Sequence, residues 1–153
     1  MDTFARHLLV ELDGCDRALL DDQEALRELM RRAAEAAGAR VVADVFHRFA
    51  PQGVTGVVVI EESHFSLHTW PESGYAAVDF YTCGNCEPEA AVQVLRDGLA
   101  ARSCEQVVVH RGLRGPGGSL KVQNGSPITP VAGALERECL GGESERLALL
   151  GRR

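Results

Sequence analysis

The runs Glu62-Ser63-His64, His68-Thr69-Trp70-Pro71-Glu72 and Thr82-Cys83-Gly84 set a serine, two imidazoles and a thiol between residues 62 and 84. A serine hydroxyl lies close to the carbonyl of its own preceding peptide bond. In a strained turn it can attack that carbonyl and convert the peptide into an ester. Removal of the Ser63 α-proton by a nearby base then eliminates the ester and leaves a dehydroalanine, which hydrolyses to a pyruvoyl group at a new chain end. His68 is the local candidate for that base, because imidazole titrates near neutral pH. A pyruvoyl carbonyl captures an amine as a Schiff base, and the amide beside it accepts an electron pair much as a pyridoxal ring does. Reprotonation of the resulting carbanion needs a donor, and Cys83 is a candidate, a thiol having an ordinary pKa of about 8.5.

The same residues carry plainer readings. His64-x-x-x-His68 with Cys83-x-x-Cys86 supplies four ligands of the kind zinc takes. Cys83 and Cys86 also have dithiol spacing, without the helix N-terminus after the first cysteine that lowers a thiol pKa. A strand histidine is most often simply hydrogen-bonded, and a cysteine is most often a small hydrophobe. On pattern alone Phe49 reads as core, and Glu72 beside Ser73-Gly74 as a solvated turn carboxylate.

Strand and helix signals alternate around these residues. Residues 6–12 read as a first strand. A helix begins at Asp21, with Leu26, Leu29, Met30, Ala33 and Ala37 at helical spacing before Gly38. Strands are expected over 41–49 and 54–60 about the Pro51-Gln52-Gly53 turn, and over 65–70 and 75–83 about the turn at 71–74. A second helix opens with Pro88 and runs to about Ala101, and 106–110 returns as a strand. Two helices on one face of a mostly antiparallel sheet make an α+β two-layer sandwich.

Period two then sorts the side chains. Phe65 and Leu67 face the helices with Ala76, Val78 and Phe80. Ser66, His68 and Trp70 face the other way with Tyr75, Asp79, Tyr81 and Cys83, so His68 and Cys83 share a face. Ser63 has the wrong parity for that face, and a bend or bulge is expected at Glu62-Ser63. A polar, aromatic-bearing face also suggests burial against another sheet, most simply that of a second copy, giving a larger sandwich.

With 153 residues and 45% hydrophobic content the chain can bury one core. A net charge of −6 argues against a nucleic-acid surface. Five cysteines with no signal sequence at Met1-Asp2-Thr3-Phe4 suggest a reducing, cytoplasmic setting. No apolar run reaches the length of a membrane span. Asn124-Gly125-Ser126 fits a glycosylation sequon that carries no meaning without secretion.

The run Glu61-Glu62-Ser63-His64-Phe65-Ser66-Leu67-His68-Thr69-Trp70-Pro71-Glu72, continued by Gly74-Tyr75-Ala76-Ala77-Val78-Asp79 and Thr82-Cys83-Gly84, resembles the signature of prokaryotic S-adenosylmethionine decarboxylase proenzymes. Gly14-Cys15-Asp16, Leu20-Asp21-Asp22 and Gly53-Val54-Thr55-Gly56-Val57 fit as well, so the resemblance spans about Arg6 to Gly112. It implies self-cleavage between Glu62 and Ser63, a covalent pyruvoyl cofactor made from Ser63, His68 as processing base, Cys83 as proton donor and Thr55 as a hydroxyl assisting processing. It further implies adenine stacking on Phe49, ribose hydroxyls held by Glu72, and a homodimer of processed protomers with sites near the interface. The implied product is the aminopropyl donor for spermidine synthesis. Ornithine or arginine remains an alternative substrate on the same fold. The domain so defined covers 1–112, and 113–153 is an extension of unknown role with a glycine- and arginine-rich run at 111–119 and a short amphipathic stretch at 134–150.

Overall fold

The computed structural model describes residues 4–61, 63–112 and 121–124. Its elements are β1 (Ala5–Asp13), α1 (Gln23–Ala36), β2 (Val41–Arg48), β3 (Val54–Ile60), β4 (Ser63–Trp70), β5 (Tyr75–Thr82), α2 (Pro88–Gly98), β6 (Ser103–Arg111) and β7 (Lys121–Asn124), with one 3₁₀ turn at Leu19–Asp21. The strands form a single sheet in the order β2-β3-β4-β5-β1-β6-β7, and every neighbouring pair is antiparallel. The expected α+β sandwich is therefore present, with both helices on one face.

Local chemistry accounts for the helices. Asp22 caps α1, its carboxylate accepting from the amides of Glu24 at 3.1 Å and Ala25 at 3.0 Å. The helix thus starts one residue after the cap rather than at Asp21. Leu26, Leu29, Met30, Ala33 and Ala34 then form its buried stripe. Pro88 opens α2, where its missing N–H costs nothing, and Ala91, Val92 and Leu95 point inward. Gly98 lets the two helices meet closely, since a Cβ there would lie 2.4 Å from Leu29 Cδ1.

Beneath the helices, Leu8, Val10 and Leu12 of β1, Val54, Val58 and Ile60 of β3, Phe65 and Leu67 of β4, and Ala76, Val78 and Phe80 of β5 make one buried layer. Phe65 and Phe80 are cross-strand partners with ring centroids 4.8 Å apart. The opposite face carries the residues of the other parity, and among the described residues no helix covers it.

The turns set the level at which strands pair. Arg48 and Val54 pair across a five-residue turn closed by Phe49 N–H donating to the Gly53 carbonyl at 2.8 Å. Trp70 pairs with Tyr75 across Pro71-Glu72-Ser73-Gly74, where Ser73 N–H donates to the Trp70 carbonyl and Gly74 takes φ +66°. Ile60 pairs with Ser63, so only Glu61 and Glu62 connect β3 to β4. This lengthens β4 beyond the expected 65–70. Of the bend or bulge expected at Glu62-Ser63, no bulge occurs at Ser63, whose pairings with Ile60 and Thr82 continue the ladder without a slip, while its backbone angle is irregular. The one register shift beside β3 is instead between Val41 and Ala43 of β2. β6 runs longer than the expected 106–110, and β7 lies beyond residue 112, paired with β6. The runs 113–119 and 134–150 and the sequon's Gly125-Ser126 fall outside the described residues.

Replacing Phe80 with alanine removes a ring from the centre of the layer and is expected to cost about 3–5 kcal/mol. A denaturant titration checks this, and a loss below about 1 kcal/mol would mean that the layer does not rest on the Phe65–Phe80 pair.

Candidate active site

Ser63 occupies the first position of β4, between Ile60 and Thr82. Its φ is +156°, outside the ordinary strand region for a residue with a side chain. The two-residue connection before it holds neither glycine nor asparagine, the residues that relax such hairpins, and the positive φ falls on the next residue. A conformation of this kind stores on the order of 1–3 kcal/mol. Parity sends the Ser63 side chain toward Phe65 and the helices, yet its Oγ lies 3.2 Å from Nδ1 of the exposed His64. Glu62, the other side of the expected cleavage, lies outside the described residues.

Cys83 follows Thr82, the β5 partner of Ser63, and is exposed, so the thiol and the serine share one end of the sheet. Around them on the open face stands an aromatic and charged group. His64 packs on Tyr81 with centroids 5.5 Å apart, and Tyr81 on His7 at 5.4 Å. The Arg111 guanidinium lies over Tyr81 at 4.5 Å. His7 Nε2 is 3.4 Å from Asp79 Oδ1, and Ser66 Oγ donates to Asp79 Oδ2 at 3.2 Å. Burial holds the His7 imidazole below its ordinary pKa against the attraction of Asp79, and Arg111 and His64 push it the same way.

His68 lies at the other end. It pairs with Thr55 on β3 and Ala77 on β5, and the Thr55 Oγ1–His68 Nδ1 distance is 2.7 Å. Thr55 in turn pairs with His47, and the exposed Phe49 meets His47 edge-on at 4.9 Å. Glu72, in the β4–β5 turn, accepts from Gln52 Nε2 at 3.0 Å. Asp21 braces this end, accepting from Arg48 Nε at 3.1 Å and from the Gly53 amide at 2.9 Å. Those hydrogen bonds, the Arg48 one foremost, hold the Asp21 carboxyl below the usual carboxylate range. Asp21 and Arg48, with Gln52, Pro71 and Glu72, line an open cleft of about 920 Å³.

Of the seven expected residues, the six that the structure describes form two groups. Ser63 and Cys83 occupy one end, and Thr55, His68, Phe49 and Glu72 the other. His68 lies five strand positions beyond Ser63, about 17 Å at 3.4 Å per residue. His68 and Cys83, expected on one face, stand at different levels, and Cys83 follows the last residue of β5. The zinc reading is not assembled either. His64 and His68 are about 14 Å apart on one strand, and among the described residues no three His, Cys, Asp or Glu side chains group to hold a metal. Sequence reasoning did not single out His7, His47, Gln52 or Thr69. The parity pattern was the available signal for the open-face residues, and nothing local marked Gln52.

Thr69 fixes the level of the His68 end. Its buried hydroxyl donates to the Leu20 carbonyl at 2.7 Å and accepts from the Val54 amide at 2.8 Å, tying the 3₁₀ turn to β3 and β4. Thr69→Val keeps the shape but strands two buried backbone groups, and we expect a loss of about 1–3 kcal/mol in the unfolding free energy. An unfolding midpoint equal to that of the parent would show that this hydroxyl is not what ties the elements together.

The described fold and site can be set beside known proteins. The family model of S-adenosylmethionine decarboxylase matches residues 6–112. A protein of Caldanaerobacter subterraneus named S-adenosylmethionine decarboxylase proenzyme is 48% identical over 114 residues, covering 74% of this chain and 92% of that one. A Thermotoga maritima protein of the same name is 46% identical over 113 residues, covering 73% of this chain and 87% of its own. The crystal structure of the adenosylmethionine decarboxylase from Aquifex aeolicus superposes with a TM-score of 0.67 at 34% identity, over 78% of this chain and 99% of that one. With more than half of its length matched by the family model and relatives near one-half identity covered almost end to end, the chain belongs to the S-adenosylmethionine decarboxylase family.

Proposed function

We propose that this protein decarboxylates S-adenosylmethionine for polyamine synthesis after cutting itself between Glu62 and Ser63, and that it does so as a homodimer whose two sites each draw on both chains. Family membership carries the reaction and the substrate. Self-cleavage accords with the relatives' designation as proenzymes and with the Ser63 geometry, where a hydroxyl sits at a two-residue hairpin connection with φ +156° and an imidazole beside it. A pyruvoyl group at position 63 would supply the carbonyl that captures the substrate amine and the electron sink for loss of CO2.

One observation carries the shared site, namely the separation of Ser63 and Cys83 from Thr55 and His68 by about 17 Å of one strand. A two-fold axis lying in the plane between two open faces, crossing β4 midway, would set the Ser63 end of one sheet over the His68 end of the other. That face calls for a cover. Val45, Val59, Leu9 and Trp70 stand on it 71%, 41%, 38% and 42% exposed. In this arrangement His68, held by Thr55 Oγ1, removes the Ser63 α-proton of the partner during processing. Cys83, exposed next to the β5 partner of Ser63, would serve in its own chain as the proton donor. Phe49 offers an exposed ring to the adenine, and Glu72 a carboxylate to the ribose hydroxyls. A short basic amino acid would use neither, and ornithine or arginine is not favoured as substrate. Residues 1–112 form the decarboxylase unit in this reading. The cytoplasm is its compartment, in keeping with the buried thiols of Cys15 and Cys104.

Co-expression of Ser63→Ala and His68→Ala chains tests the shared site. Alone, the first has no hydroxyl and stays whole, and the second is cut at least about 100-fold more slowly. Together, His68→Ala chains paired with Ser63→Ala partners meet an intact histidine, and intact mass should find them cut. Failure of cleavage on mixing would place Ser63 and its base in one chain and end the shared-site reading.

A further inference from the structure

The imidazole in contact with Ser63 is not that of His68. His64 Nδ1 lies 3.2 Å from Ser63 Oγ, whereas His68 Nδ1 is engaged by Thr55 Oγ1 at 2.7 Å on the far level of the sheet. The His64 ring is held from neighbouring strands. Tyr81 of β5 packs against it at 5.5 Å, and Tyr81 is itself in contact with His7 of β1 and the Arg111 guanidinium of β6. Ser63, with its positive φ, meets His64 rather than the helix-covered layer that parity assigns it.

The self-cleavage proposed above needs two different proton movements. In the first step a proton leaves the Ser63 hydroxyl and must arrive on the departing amide nitrogen. In the second a proton leaves the Ser63 α-carbon. We propose that His64 is the catalytic base and acid of the first step, a role distinct from that of His68 in the second; this inference rests on the self-cleavage reading. With its own proton on Nε2, His64 accepts the Ser63 Oγ proton at Nδ1 as Oγ bonds to the carbonyl carbon of Glu62. The carbon–nitrogen bond of that peptide then breaks, and the imidazolium returns the proton to the Ser63 nitrogen. The imidazole ends neutral, the nitrogen ends as a free amine, and Ser63 Oγ ends esterified to Glu62. No oxidant, reductant or second reactant is needed. The α-proton is left for the partner's histidine, after which the Glu62 carboxylate departs.

The two histidines are separable by where processing stops. Full-length chains made by cell-free synthesis are followed by intact mass, with and without hydroxylamine, which opens an ester but leaves an ordinary peptide bond intact. For His64→Gln, which keeps a hydrogen-bonding side chain without a basic nitrogen, cleavage should slow about 100-fold or more, and hydroxylamine should not open the uncut chain at Glu62. His64→Phe, which keeps a ring against Tyr81, should behave alike while retaining the circular dichroism spectrum of the parent. His68→Ala should instead stop as the ester and be opened by hydroxylamine. Cleavage of either His64 variant within about threefold of the parent rate would overturn the proposal. So would hydroxylamine opening of an uncut His64 variant, since the ester would then form without the imidazole. A parent chain that never cuts would overturn the self-cleavage reading itself, and with it this step.

Discussion

The antiparallel pairing of β4 between β3 and β5 is the constraint on which the remaining geometry depends. With Ser63 set opposite Thr82 and His68 opposite Ala77, every other residue between them is assigned both a face and a level. The apolar half of that alternation, Phe65 and Leu67, fills the layer under the helices. The polar half, His64, Ser66 and His68, has only the open face. Core burial and chemistry are thus two consequences of one register, and slipping it by a residue would put the histidines under α1 and the phenylalanine in water.

The same register forbids the simplest active site. A strand is stiff and rises about 3.4 Å per residue, so Ser63 and His68 cannot meet within one sheet. What the sheet provides is two separate groups of side chains at its two ends, which in the proposed function are half-sites. One is a strained serine beside a thiol and an aromatic and charged group. The other is a hydrogen-bonded threonine–histidine pair, with an exposed aromatic ring and a carboxylate nearby. Two-fold symmetry is the economical way to join unlike halves, because a single interface then completes both sites. In the proposed arrangement the work divides between two imidazoles in keeping with this layout, one beside the hydroxyl in its own chain and the other brought by the partner.

Much of this was legible in the chain itself. The spacing of Leu26, Leu29, Met30 and Ala33 marks the buried face of α1, and Pro88 marks the start of α2, because helix periodicity and capping are local properties. Alternation likewise separated His68, Trp70 and Tyr81 from Phe65 and Phe80. Parity, however, names a face and never a level. Levels come from turn lengths and long-range pairing, which is why His68 and Cys83 read as neighbours when they stand at opposite ends. The irregularity at Ser63 was foreseen from its parity, but it is a single backbone angle and not a bulge, since the two-residue connection leaves no extra residue to insert. The strand Lys121–Asn124 was missed because four residues beyond a glycine-rich run carry too little pattern to declare themselves.

The central claim is that this chain makes its own reactive carbonyl from Ser63. Its most direct test is the intact mass of the purified parent protein, taken before and after reduction with cyanoborohydride in the presence of S-adenosylmethionine. The account predicts two fragments divided between Glu62 and Ser63, the larger one blocked at its new N-terminus and gaining the mass of an amine adduct on reduction. A single uncut chain that gains no mass would contradict it.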